Sequence, residues 1–254
     1  MGALMEYATV AEARNADGLR LVVSAGAPGP WGEAIKAVLA CKGLDVMIAA
    51  QEVGGENPEL VAWTGQASAP VLAWNDDPPR IGCLEQILLI EAVAPEPALL
   101  PGDVGERAFV LGMLTEIAGH YGLGWQRRLQ ITDAVMAGGN PPAVMQTLAQ
   151  RYGYSAEAAA ASTAAIQTRL DWFASRLDEQ GARGSPYLQG ETLTVADLYL
   201  ANFIGLFDPL PHELNPMPAA MRASYSLPGA QLPEQLLQHR DAIYREHIKT
   251  PLSF

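Results

Sequence analysis

Apolar and polar positions in the first hundred residues switch between two periods. Leu19–Ser24 (LRLVVS) is a short β-branched apolar run that stops at Ala-Gly-Ala-Pro-Gly-Pro, the pattern of a buried strand entering a tight turn. Over residues 31–42, Ile35, Val38 and Leu39 recur at helical spacing and Gly43 ends the run, which predicts an amphipathic helix. A second strand is expected over residues 45–50, so these elements form a β-α-β unit with a right-handed crossover and parallel strands. A short helical turn is expected at 58–63. PVLAWNDDPPRIG then predicts a hairpin, with strands at 71–74 and 80–82, and CLEQILLIEAVA an apolar helix ended by Pro95 and Pro97.

Beyond Pro101 the chain is alanine-rich and helical in period, with almost no strand-like run. Helices are expected over 105–119, continuing through to 136, then over 156–179, 194–207 and 233–248. This shift divides the chain into an extension at 1–18, a mixed unit at 19–95 and an all-helical unit at 104–254. The sharpest local signal is GETLTVADLYLA, where Thr194 and Asp197 stand three apart before an apolar run as a capping box: hydroxyl to the Asp197 amide, carboxylate back to the Thr194 amide.

Charge narrows the range of partners. The formal net charge is −12, and the one dense basic cluster is Arg127-Arg128, so binding to nucleic acid or to an anionic membrane surface is not expected. The two cysteines, Cys41 and Cys83, have neither disulfide-framework nor metal-ligand spacing, so no metal is expected and a reducing cytoplasm is the default. The first residues lack the apolar core of a signal peptide, and no run has the length of a membrane span.

Three stretches, SAPVL around Pro70, the Leu84-Glu85-Gln86-Ile87 segment, and YLQGETLTVAD, give a resemblance to the glutathione transferase superfamily. The implied fold is an N-terminal thioredoxin-like β-α-β-β-β-α domain followed by a C-terminal helical bundle. The resemblance also implies glutathione as co-substrate, a small hydrophobic molecule as second substrate, and a homodimer. A cis bond before Pro70 would turn the N–H and C=O of Ala69 outward as an added strand edge for an extended peptide. Glu85 would pair with the ligand's ammonium, and the Gln86 amide would donate to its carboxylate at a helix N-terminus. Relatives carry Glu-Ser at this pair, and asparagine, proline and lysine where this chain reads Trp63 to Ser68; Gln66 and Ser68 are left to bond the glycyl carboxylate.

Glutathione chemistry needs the thiolate, which a donor or a positive dipole must favour. The position where relatives place Ser or Cys is Gly29, and the Tyr position falls near Ala25. The remaining candidates are the backbone amides around Gly29, Trp31 and Gly32, the Ser24 hydroxyl, or no activating group at all. Cys41 reads as a packed thiol, and Cys83, near a helix start, as the better redox candidate. Met113, Glu116, His120, Tyr121 and Trp125 are the expected wall of the electrophile pocket. A non-catalytic protein that uses the fold for ligand binding or assembly is the alternative. His239-Arg240-Asp241 repeats a kinase tripeptide without its companions, Gly122 and Gly124 lack the context of a dinucleotide site, and the proline-rich segment 207–221 is expected to cover the pocket.

Overall fold

The computed structural model describes residues 6–226 and 230–254. Residues 1–5 of the expected N-terminal extension, and residues 227–229, lie outside the described residues. The elements run α1 (Val10–Asn15), β1 (Leu19–Ser24), α2 (Pro30–Cys41), β2 (Met47–Gln51), α3 (Pro58–Thr64), β3 (Val71–Trp74), α4 (Cys83–Val93), α5 (Val104–Ala118), α6 (Leu123–Met136), α7 (Ala143–Arg151), α8 (Ala156–Gly181), α9 (Val195–Ile204), α10 (Ala219–Tyr225) and α11 (Glu234–His247). None of these helices is long and apolar enough to cross a membrane.

The sheet has the order β2-β1-β3, with β2 parallel and β3 antiparallel to β1. The two-residue period of β1 sends its side chains to opposite faces. Leu19, Leu21 and Val23 enter the main core with α2, α4 and the helical half, while Val22 joins Val10, Ala13, Ala49, Leu60 and Val71 on the other face. Helix α1 starts at a capping box between Thr9 and Glu12, and Ala8 pairs with Ala49 at the edge of β2, so the extension is part of the fold.

Two expectations change. The return limb of the hairpin is a single bridge between Leu72 and Arg80, because Pro78 and Pro79 have no N–H to donate and Gly82 already caps α4. The long helix expected through residue 136 is broken into α5 and α6, where Tyr121 takes a positive φ of 66° and the chain folds back over the last carbonyls of α5. Gly124 then lets α6 approach closely, since a Cβ there would stand 2.3 Å from the Phe203 ring and 2.9 Å from Trp31. Three helices, α1, α7 and α10, are absent from the expected set.

Every residue of α9 is buried, and it packs against α2, α5 and α11. Its start is held by the fully buried carboxylate of Asp197, which accepts from the Thr194 amide at 2.9 Å, the Thr194 hydroxyl at 2.7 Å and the Leu188 amide at 2.8 Å. The capping box expected here is present, and the Thr194 hydroxyl adds a donation to the carboxylate. His239 Nε2 lies 3.4 Å from the same carboxylate. Burial raises the Asp197 pKa, against the opposing pull of His239 and the hydrogen bonds, and burial lowers that of His239. His239 and Arg240 are thus buried packing residues, with Arg240 paired to Asp208 and Asp241.

Asp197→Ala strands these donors in the core and is expected to cost about 3 kcal/mol or more, whereas removing the exposed Arg245–Glu246 pair by Arg245→Ala is expected to cost less than about 1 kcal/mol. Urea unfolding of the two variants checks the contrast.

Candidate functional site

A cavity of about 80 Å³ lies between the sheet unit and helices α6 and α7. Its floor comes from the end of β1 and the loop into α2, where Ser24, Ala27, Gly29, Trp31 and Gly32 line it. Gly29 is the N-cap of α2 and Pro30 its first residue. Proline at that position has no amide to leave unsatisfied. The Gly29 amide donates back to Ala27 O at 2.8 Å, so the first-turn amides with no partner among the described residues belong to Trp31 and Gly32. Together with the helix dipole they make the floor electropositive.

Ser24, the last residue of β1, lines the cavity. Its oxygen accepts from Gln51 Nε2 at 2.7 Å, and Gln51 Oε1 in turn accepts from Asn57 Nδ2 at 2.8 Å. The Ser24 proton is left free to donate into the cavity. Asn57, in the left-handed region at φ 45°, also reaches the carbonyls of Glu52, Gly55 and Ala67, so one amide holds the loop on both sides of α3.

The opposite edge is Ser68-Ala69-Pro70, and the Ala69–Pro70 bond is cis. The N–H and C=O of Ala69 have no hydrogen-bond partner among the described residues. Behind it, the fully buried Gln86 amide donates to Pro70 O at 3.0 Å and Arg80 O at 3.1 Å. Gln86 is therefore a brace for the proline loop, and its donor is not available to a carboxylate ligand. Glu85 is exposed, outside the cavity lining, and turned back toward the Gly82 amide. Gln66 also stays outside the lining and bonds Ser68 O at 2.9 Å.

None of the five residues expected as an electrophile wall lines the cavity. Met113 is buried in the main core, Glu116 pairs with Arg169 at 2.9 Å, and His120 and Tyr121 are exposed. Trp125 stays outside the lining and stands behind it, its ring 5.4 Å from the Arg128 guanidinium and 5.8 Å from the Tyr152 ring. The wall is instead Arg128 from α6, Leu148 and Arg151 from α7, and Tyr152. Arg151 closes the mouth by donating to Ala67 O at 3.3 Å and Gly55 O at 3.2 Å. Sequence reasoning registered Arg128 only as half of a basic pair and missed α7. Burial pushes the thiols of Cys41 and Cys83 up, so neither is primed as a nucleophile.

No family model matches the chain, and no curated protein matches it in sequence. Solved structures do match in shape. A glutathione S-transferase from Methylobacterium radiotolerans, in complex with glutathione sulfonate, has a TM-score of 0.62 at 17% identity, with 91% of this chain and 92% of that chain covered. Ure2p in complex with glutathione gives 0.61 at 17%, covering 91% and 95%. The nitrogen regulation fragment of the yeast prion protein Ure2p gives 0.63 at 14%, covering 95% and 96%. The fold is that of the glutathione transferases.

Two substitutions probe this geometry. A Cβ at Gly29 meets nothing within 4 Å and φ there is −65°, so Gly29→Ser is expected to keep the stability within a few tenths of a kcal/mol while adding a hydroxyl at an N-cap that favours one. Thermal unfolding checks it, and a loss above about 1 kcal/mol would contradict the open space. Arg151→Ala is expected to speed hydrogen exchange of the α7 amides and to leave those of β1 unchanged.

Proposed function

We propose that this protein binds glutathione, with the cysteinyl backbone along Ala69 and the sulfur in the cavity at the first turn of α2, and transfers it to a small hydrophobic electrophile. The observation that carries the reading is that one cavity unites the backbone edge at Ala69, the first-turn amides of Trp31 and Gly32 and the Ser24 hydroxyl proton, none with a partner among the described residues. Two of the similar structures hold glutathione or its sulfonate, which supports the choice of ligand. In the transfer, the S–H proton leaves to water, the thiolate attacks an electrophilic carbon, and the S–C bond forms as the leaving group departs. The electrophile lies against Leu148 and Tyr152. Glu85 is left for the ligand's ammonium and Ser68 for its glycyl end.

At about 80 Å³ the cavity holds a few waters or a small side chain, so the tripeptide's ends lie outside it, across the mouth that Arg151 spans. A second reading, a glutathione binder without transferase activity, is favoured by one observation: Gly29 gives α2 no hydroxyl or thiol at its cap. Titration calorimetry and thermal unfolding with reduced glutathione test the shared step. A hundredfold excess over Kd is expected to add about 2.7 kcal/mol of stability. Turnover of an activated aryl chloride with glutathione then separates the readings: turnover that rises in Gly29→Ser supports the transferase, and binding without turnover supports the second reading.

We also place the protein in the cytoplasm as a homodimer. Apolar side chains stand exposed on both units: Ile81 and Leu88 at and before α4, and Phe109 beside Trp172 on α5 and α8. Light scattering is expected to show a dimer at micromolar concentration that Trp172→Glu weakens; a wild-type monomer would contradict it.

A further inference from the structure

Helix α6 brings to the cavity a cation that the reading above does not use. The Arg128 guanidinium lies 4.1 Å from the Trp31 ring centroid and 4.0 Å from that of Tyr152, clamped between two aromatic rings. Such contacts are worth on the order of 1 kcal/mol each and leave the guanidinium without an oxygen acceptor. Among the described residues no carbonyl, hydroxyl or carboxylate accepts a hydrogen bond from Arg128 and none forms an ion pair with it. Its neighbour Arg127, one position earlier, donates to Leu206 O, Gln130 and Tyr225 O. The same helix thus carries one arginine bonded within the fold and one whose donors stand at a cavity. The chain has 28 acidic residues, and leaving this cation unpaired is costly unless something anionic visits it.

The other charged and titratable groups around it leave that role open. Glu33 lines the same cavity, but its carboxylate is 2.7 Å from Lys36 Nζ. Arg151 is engaged with two carbonyls, and burial pushes the Tyr225 phenol up to about 12. Burial also pulls Arg128 below the ordinary arginine range, though it stays protonated throughout. The floor opposite is the first turn of α2, with the free amides of Trp31 and Gly32, so two independent sources of positive potential face one small space.

We propose that Arg128 holds the sulfur of the bound thiol as its anion, supplying from α6 the stabilisation that Gly29 cannot supply from α2. This rests on the glutathione-binding reading. The proton of the thiol passes to water, Arg128 keeps its own, and the charge-assisted contact offsets the cost of a thiolate in a confined cavity. The small volume selects for a single sulfur anion or a compact oxyanion at that position, and the aromatic clamp fixes the guanidinium without a carboxylate that would compete with it.

The test compares two probes that share the peptide and differ at sulfur: glutathione sulfonate, anionic there, and S-methylglutathione, neutral there. Affinities are measured by calorimetry for wild type, Arg128→Gln and Arg128→Lys. Arg128→Gln is expected to weaken the sulfonate by about tenfold or more, the scale of one charged hydrogen bond, and S-methylglutathione by less than about threefold, with Arg128→Lys recovering part of the loss. Equal losses for both probes would overturn the proposal and leave glutathione binding intact. Wild-type binding of neither probe would overturn the glutathione reading itself. A measurement on unmodified protein guards against a variant that fails to fold. The thiolate absorbance of bound glutathione should titrate below the free-thiol value of about 8.5, and an unshifted or raised midpoint would overturn the role of Arg128.

Discussion

The indole of Trp31 is held on three sides, and each contact belongs to a different helix. Its N–H donates to Ala118 O at the end of α5, 2.8 Å away, its ring meets the edge of Phe203 from α9 at 4.7 Å, and its face carries the Arg128 guanidinium from α6. A tryptophan suits this place because it combines a large apolar surface with one donor that must be satisfied when buried. Through it the first turn of α2, which forms the cavity floor, is fixed relative to the helical half. Gly124 is the matching concession, since any side chain there would collide with the Phe203 and Trp31 rings.

On the sheet side a polar network does the equivalent work. Asn57 orients Gln51, and Gln51 occupies one lone pair of Ser24, whose hydroxyl has no acceptor among the described residues and lines the cavity. Gln86 braces the carbonyl of Pro70 from below. These are buried or half-buried amides and a hydroxyl, satisfied mainly by one another and by backbone carbonyls, so their geometry is set before any ligand arrives. The full charge comes from the other half, from Arg128, and adds to the potential of the first turn of α2. The cavity therefore combines hydrogen-bond donors positioned by the sheet with charge delivered by the bundle, and neither half carries the site alone.

What could be read from the residues follows the range of the forces involved. Strand β1, helix α2 and the start of α9 were legible because an apolar period, a Gly-Pro turn and a threonine-aspartate pair act over a few residues. The return limb of the hairpin was not, since two prolines thin its ladder to one bridge. At the site, Gly29, Trp31, Ser24 and the Ser68-Ala69-Pro70 edge were named in advance and meet in one cavity. Gln86 was named for a ligand and instead serves the fold, because a longer side chain than serine reaches the proline loop. Arg128 could not be told from Arg127 by sequence: adjacent positions on a helix point about 100° apart, and only the packing of α6 decides which one the cavity receives. Helix α7 is short and polar on average, so its narrow apolar face stands out little from a loop, and its place over the mouth is a tertiary fact.

The central claim is that an anionic thiol ligand enters between Ala69, the first turn of α2 and Arg128. Amide and guanidinium chemical-shift mapping by NMR during a titration with reduced glutathione addresses it most directly. The account predicts that the largest changes fall on the Ala69, Trp31 and Gly32 amides and the Arg128 side-chain N–H groups. Saturable changes that cluster instead in the groove between residues 208–214 and α11, with the cavity amides unmoved, would contradict it.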